Sequence, residues 1–340
     1  MPRPVPSPAL LSNLATQLRI DSIRSTTKAG SGHPTTCMSC ADLMAVLFAS
    51  ELRYDIANPQ HEHADRLVMS KGHAAPILYA AWAAAGLFPR DEVLELRELS
   101  SDLEGHPTPR LNFVDVATGS LGQGLGVGVG IALNARRIGS DYRTYVLMGD
   151  GEIAEGSVWE AASAAAFHAL ESLCGIVDVN RLGQSRATQL GHDVDTIAGR
   201  FRAFGWHAIV VDGHDSGAIL KAFDEARATS GRPTVLVAKT EKGKGVSFTE
   251  GKDGWHGKPL KADEMAKAVA ELEAQYVEPH AVSFTPALPS RPSTPLVVDV
   301  PDMPAPAYKD GDQVATREAF GTALAKLGAI DPRIVAPISS

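Results

Sequence analysis

The stretch TYVLMGDGEIAEGSVWEAA, residues 144–162, decides how this chain folds. An apolar run ends at Gly149-Asp150-Gly151, and a helical pattern follows from about Ser157. A carboxylate at the end of a buried strand is costly to desolvate unless something positive meets it. Downstream the same alternation repeats: strand LCGIVDV, helix TIAGRFRAFG, strand HAIVVDG, helix SGAILKAFDEARAT, strand TVLVAKT. Near-continuous apolar strands separated by helices predict an α/β fold, a parallel sheet with right-handed crossovers and helices on both faces. Upstream, a helical pattern from about Leu14 to Tyr54 is interrupted by the loop KAGSGHPTT, and a short strand RLVMS leads into the alanine-rich helix KGHAAPILYAAWAAAG.

The 340 residues are 44% hydrophobic, enough for a sizeable core. The net charge of −8 carries no basic run, which argues against nucleic acid or an anionic membrane as partner. The 3 cysteines, Cys37, Cys40 and Cys174, are too few for a disulfide framework and read as reduced structural thiols. With no signal-type segment and no apolar run long enough to cross a bilayer, a cytoplasmic protein is expected.

Residues 1–13 are expected as a disordered arm, 14–276 as the main binding domain, and 277–312 as a proline-rich linker laid over a surface. In 313–340, ATREAFGTALAKLG reads as a helix with Thr316 as N-cap and Gly328 as its terminal glycine, and RIVA as the beginning of a strand. A helix and one strand cannot bury a core of their own, so this segment is expected to be the truncated start of a second α/β domain.

In parallel α/β sheets ligands bind beyond the carboxyl ends of strands, and Asp150 and Asn180 each stand at such an end. If their strands are neighbours, a carboxylate, an amide oxygen and a nearby backbone carbonyl converge as hard ligands for Mg²⁺ or Ca²⁺. Mg²⁺ prefers phosphate oxygens for its remaining positions, which predicts a di- or polyphosphate companion. The glycine run GSLGQGLGVGVG does not match a dinucleotide fingerprint in any register; its small residues permit close helix packing and backbone approach to a ligand. The paired histidines His61 and His63 lack a third ligand, are expected to be exposed, and are assigned no role.

A Gly-Asp-Gly followed some thirty residues later by Asn at another strand end resembles the thiamine diphosphate fold. Taken in order, KAGSGHPTTCMSCADLMAVLF, DRLVMSKGHAAPILYAAWAAAG, SSDLEGHPTP, DVATGSLGQGLG, NRLGQS, AFGWHAIVVDGH, AKTEKGKG and WHGKPL resemble transketolase, with the short linker of its animal-type group, over Leu14 to about Val335. The resemblance implies metal ligation by Asp150, Asn180 and the carbonyl of Leu182. It implies cofactor contacts from Thr36, His73, Gly119, Ser120, Leu121, Gly151, Asn180, Lys242 and His256, with Gln184 beside the metal loop. His33, His106, His256 and Arg317 match sugar- or phosphate-binding positions, and His33, His73, His106 and His256 are the candidate proton handlers. Glu155 resembles the family acid that links the two active sites of a dimer, or is a helix-dipole residue; Glu152 is read as the dipole cap.

The implied activity is transfer of a two-carbon ketol unit from a ketose phosphate to an aldose phosphate, in the pentose phosphate pathway. The implied cofactors are thiamine diphosphate and Mg²⁺ or Ca²⁺. The implied partner is a second copy, or a complementing C-terminal transketolase chain carrying the glutamate that activates the cofactor; without it the chain is expected to turn over negligibly. Dihydroxyacetone synthase is the near alternative, a 2-oxo acid dehydrogenase subunit or deoxyxylulose phosphate synthase are more distant ones, and a non-catalytic cofactor-binding half is a different class of answer.

Overall fold

The structure, a computed structural model, describes residues 3–294 and 301–336. They fall into two compact units, Met1–Ser293 and Thr294–Ser340. The first is built on β1 (Arg66–Met69), β2 (Thr144–Gly149), β3 (Leu173–Val179), β4 (His207–Asp212) and β5 (Thr234–Lys239). The strands lie in the order β1-β2-β3-β5-β4, and every neighbouring pair is parallel.

Successive side chains of a strand point to opposite faces, and here both faces are covered. Tyr145 and Leu147 of β2 belong to one core with Leu14, Met44, Leu78 and Phe223, from α1 (Pro8–Lys28), α3 (Ala41–Val46), α4 (Ala75–Ala84) and α8 (Ser216–Ala228); α2 (Pro34–Ser39) contributes Cys37. Val146 and Met148 belong to the other with Leu125, Val158 and Phe201, from α5 (Gly124–Arg137), α6 (Gly156–Phe167) and α7 (Val194–Ala203). The chain winds one way from β1 to β4 and turns back to insert β5 beside β3. A right-handed crossover after that reversal places α8 on the face opposite α6 and α7. A third cluster joins Ile20 and Ile23 of α1 to Ala268 and Leu272 of α9 (Ala262–Glu273).

The expected disordered arm over 1–13 is structured from residue 3 onward. Ser7 accepts from the amide of Leu10 at 3.2 Å and Pro8 occupies the first helical turn, a start signal hidden by the surrounding prolines. Arg3 donates to the carbonyl of Glu51 at 2.7 Å. The binding unit also extends past Tyr276: Asn13 grips the backbone of Val277 in both directions at 2.8 Å, and the amide of Tyr54 donates to Ala287 at 2.9 Å. Residues 277–293 of the expected linker therefore belong to the first unit.

In the second unit α10 (Thr316–Ile330) forms where expected, but its N-cap is Ala315, and it runs through Gly328 to a C-cap at Asp331. The strand expected over 333–336 is absent there, and residues 295–300 and 337–340 lie outside the described residues. Among the described residues no helix is long and apolar enough to cross a membrane.

Candidate functional site

β2 and β3 are neighbours with Gly149 opposite Asp178, so Asp150 and Asn180 leave the sheet on one edge. Asp150 Oδ2 accepts from the Arg181 amide at 2.8 Å and the Thr188 hydroxyl at 2.9 Å, and Oδ1 accepts from the Gly151 amide at 3.0 Å. Arg181, at φ 64°, takes the left-handed turn that folds the following loop back over Asp150. Asn180 Oδ1 accepts only a long bond from the Leu182 amide, 3.3 Å, and the Leu182 carbonyl accepts from Lys242 Nζ at 2.7 Å.

Burial, with Asp178 adding, pushes Asp150 up to about 6 against those three hydrogen bonds. Burial likewise pushes Lys242 down to about 8. A carboxylate raised by burial and a carbonyl already holding an ammonium are the donor chemistry a hard divalent cation would use. Among the described residues no cluster of three or more His, Cys, Asp or Glu is arranged for a metal. A cation here would draw its remaining oxygens from a ligand, as Mg²⁺ does from phosphates.

A cavity of about 310 Å³ opens beside this edge. Its lining includes His33, Thr36, His73, His106, Gly119, Leu121, Asp150, Gly151, Asn180, Leu182, Gln184, Lys242 and His256, all singled out in the sequence, together with Lys71, Gly149, Glu152 and Gly183. The rings of His33, His73 and His256 meet with centroids 5.0–5.6 Å apart. The imidazoles close in because of two glycines. A Cβ on Gly119, at φ 135°, would sit 2.7 Å from His106, and one on Gly257, at φ 63°, 3.1 Å from His33. A second cavity of about 360 Å³ shares Asp150 and Gln184 but is walled by the exposed 183–190 loop; the converging chemistry lies in the first.

Two expected residues of the first unit lie outside the cavity lining. Ser120 and Glu155 are exposed, with Glu155 packing beside Gly122. Arg317 is exposed on α10 of the second unit. Glu152 is a buried clamp, not the helix-dipole cap expected of it: α6 begins at Gly156, and the Glu152 carboxylate accepts from the amides of Gly122 and Gly149, each at 3.0 Å, and from Ser70. His61, expected to be exposed, is buried and accepts from the His63 amide at 3.1 Å.

Sequence reasoning missed Lys71 and Asp178, which form a fully buried ion pair at 2.5 Å, with Lys71 in the cavity floor. A signal was present: an aspartate inside the apolar strand LCGIVDV requires a buried partner. It also missed Arg97, whose guanidinium packs against Gly105 and whose charge adds to burial in holding His33 and His106 down.

Burial, reinforced by Lys71 and the neighbouring imidazoles, pushes His73 down to about 2; burial pushes His33 and His256 to about 4. Unfolded histidine titrates near 6.5, so below that pH the unfolded chain binds more protons and stability falls as the solution is acidified. For His73 alone the loss between pH 7 and pH 5 is about 2 kcal/mol. Asp21 and Asp150, held up to about 6, act in the opposite sense. The difference between the parent and His73→Gln isolates the imidazole: the parent's thermal midpoint should drop more from pH 7 to pH 5 than the variant's. Equal drops would remove the buried neutral histidine from the account.

A doubly covered parallel sheet, with a polar cleft at its carboxyl edge that pairs the Asp150 carboxylate and the Lys242 ammonium with neutral imidazoles, defines a cofactor-binding α/β domain. The family described as "Transketolase, thiamine diphosphate binding domain" matches residues 11–284. The chain belongs to the transketolase family and carries its thiamine diphosphate-binding domain. It is 49% identical over 328 residues to the transketolase of Pongo abelii and 50% identical over 330 residues to that of Rattus norvegicus, covering 96% of this chain and 52% of each relative. It thus spans about half the length of the curated relatives it matches. The transketolase of Campylobacter jejuni superposes with a TM-score of 0.74 at 33% identity, over 79% of this chain and 43% of that one. The transketolase of Leishmania mexicana does so with 0.72 at 28%, over 95% and 48%.

Proposed function

We propose that this chain is the diphosphate-binding side of a transketolase, holding thiamine diphosphate through a divalent cation and serving ketol transfer between sugar phosphates. The observation that supports this reading is that Asp150, Asn180 and Leu182 line the same cavity as His33, His73, His106 and His256. Asp150, the Asn180 amide oxygen and the Leu182 carbonyl would hold the cation, and Lys242, 2.7 Å from that carbonyl, would move onto phosphate oxygen. Gly119, Leu121 and Gly151 would offer backbone where a side chain would block approach. When bound, the cofactor supplies the electron sink for carbon–carbon bond cleavage.

The remaining steps belong to the chain's imidazoles. His33, His73 and His256 are neutral at pH 7, so each presents one donor and one acceptor nitrogen. Facing one another at 5.0–5.6 Å, they can orient sugar hydroxyls and pass a proton without carrying a charge into the cleft. His106, opposite Gly119, closes the same wall, while Ser120 and Arg317 keep the cofactor and sugar roles that the family resemblance gives them. Glu155, exposed beside the site, is available to a second copy of the chain, in keeping with a homodimer or a complementing chain. A cytoplasmic place in the pentose phosphate pathway completes the reading.

The test is calorimetric. Titrating thiamine diphosphate into the chain should give saturable binding with Mg²⁺ or Ca²⁺ and at least tenfold weaker binding in chelator, by the order of effect a lost metal bridge produces. Binding indifferent to the cation would discard the metal corner, and no binding at all would discard the reading.

A further inference from the structure

Lys71 Nζ and Asp178 are buried at the floor of the cavity and, with the residues they touch, join β1, β3, β5 and α2. The ammonium donates to the Thr36 carbonyl at 2.9 Å, the Thr36 hydroxyl at 3.2 Å and Asp178 Oδ2 at 2.5 Å, which uses all its hydrogens. Asp178 Oδ2 also accepts from Ser39 Oγ at 2.6 Å and Asn180 Nδ2 at 3.1 Å, and Oδ1 accepts from Thr240 at 2.5 Å. The second hydrogen of Asn180 Nδ2 goes to Ser39 Oγ at 3.2 Å.

We infer that the Lys71–Asp178 pair is a positioning device that sets the polarity of the cleft, turning the Asn180 amide oxygen and the Thr36 hydroxyl hydrogen towards the ligand. The inference deepens the proposed function and rests on it. An ionised carboxylate only accepts, so it holds the Asn180 amide by its nitrogen; reversing the amide would set two oxygens against each other with no hydrogen between them. The oxygen is thereby left for a cation. Lysine only donates, so it makes the Thr36 hydroxyl an acceptor on its inner side and leaves that group's one hydrogen for an anionic oxygen. The pair adds no net charge to the floor, yet it fixes one lining group as acceptor and the other as donor. That is the arrangement a cation-bridged diphosphate needs.

A buried ion pair is a poor source of stability compared with apolar groups of the same shape, so its presence under the cleft calls for a role other than stability. Lys71 follows β1, Asp178 lies in β3, Thr240 follows β5, and Thr36 and Ser39 belong to α2. The pair therefore ties the orientation of two lining groups to the sheet itself, not to a loop.

Asp178→Asn alone would leave Lys71 charged and unpaired, and its failure to fold would say little. The double variant Lys71→Met/Asp178→Asn removes both charges at nearly constant volume and gives position 178 an amide that can donate to Asn180. Its thermal midpoint should stay near the parent's, while Mg²⁺-dependent affinity for thiamine diphosphate, read by calorimetry, should fall about tenfold or more. This split between stability and cation-dependent affinity is not what a merely structural pair would give. A second measurement needs no ligand: in the ¹⁵N-labelled parent, the Asn180 side-chain amide should exchange slowly with solvent, both its hydrogens being bonded. Fast exchange in the parent, or parental affinity in a folded double variant, would overturn the inference alone. A parent that binds no thiamine diphosphate would overturn it together with the proposed function.

Discussion

Asp150→Ala should lower the Mg²⁺-dependent affinity for thiamine diphosphate by about a hundredfold or more. Asp150 is the one carboxylate among the three proposed cation ligands, and removing a charged partner from a buried site costs about 3–5 kcal/mol, each 1.4 kcal/mol being tenfold. The alanine also strands the Arg181 amide and the Thr188 hydroxyl, now 2.8 and 2.9 Å from the carboxylate, so stability alone would fall. Asp150→Asn separates the two effects. It keeps an oxygen acceptor for the loop and removes the charge, so the chain should fold with parental cooperativity and still lose the cation-dependent component of binding. Calorimetric affinity unchanged in Asp150→Asn would count decisively against the metal assignment.

The second large effect is expected at Gly72, which opens the short helical turn carrying His73. A Cβ there would lie 2.7 Å from the Gly119 nitrogen, the Thr118 carbonyl carbon and the Thr118 hydroxyl. Two of those atoms are backbone and cannot rotate away. The loop is also pinned, because the Thr118 hydroxyl donates to the Met69 carbonyl at 2.7 Å. Gly72→Val must therefore drive the 118–121 loop off the end of β1, separating His73 from the Gly119–His106 wall. Overpacking on this scale costs about 3 kcal/mol, or roughly 4–5 °C in thermal midpoint for a chain of this size, and thiamine diphosphate binding should weaken with it. Gly126→Ala and Gly130→Ala are the controls: their added Cβ atoms meet nothing within 4 Å, and in a helix alanine is favoured over glycine by about 1 kcal/mol. Wild-type melting in Gly72→Val would show that the loop yields more readily than its contacts imply.

Much of the site was legible before any coordinates. Asp150 and Asn180 are read from their place after apolar strands, and those strands are parallel neighbours with both residues in the lining of one cavity. The histidines are read from glycine- and proline-flanked loops, and the cavity gathers His33, His73, His106 and His256 into one wall. The misreadings share a cause. Glu152 looks like a dipole cap in sequence because it stands near a helix start, and nothing local says that the Gly122 and Gly149 amides point at it. Ser7-Pro8 is an ordinary helix start, but proline content made the segment look disordered.

Strand and helix periods, the glycines at tight turns and the chemical type of each side chain are local properties, so the chain by itself determined the parallel α/β sheet and its polar carboxyl edge. Which groups oppose one another across that edge is not local. The insertion of β5 between β3 and β4, the Glu152 clamp and the Lys71–Asp178 pair, whose members stand 107 residues apart, were decided only by tertiary structure. Desolvation is the physical reason: a charge buried by packing must find its partner wherever the fold brings one, at whatever distance along the chain.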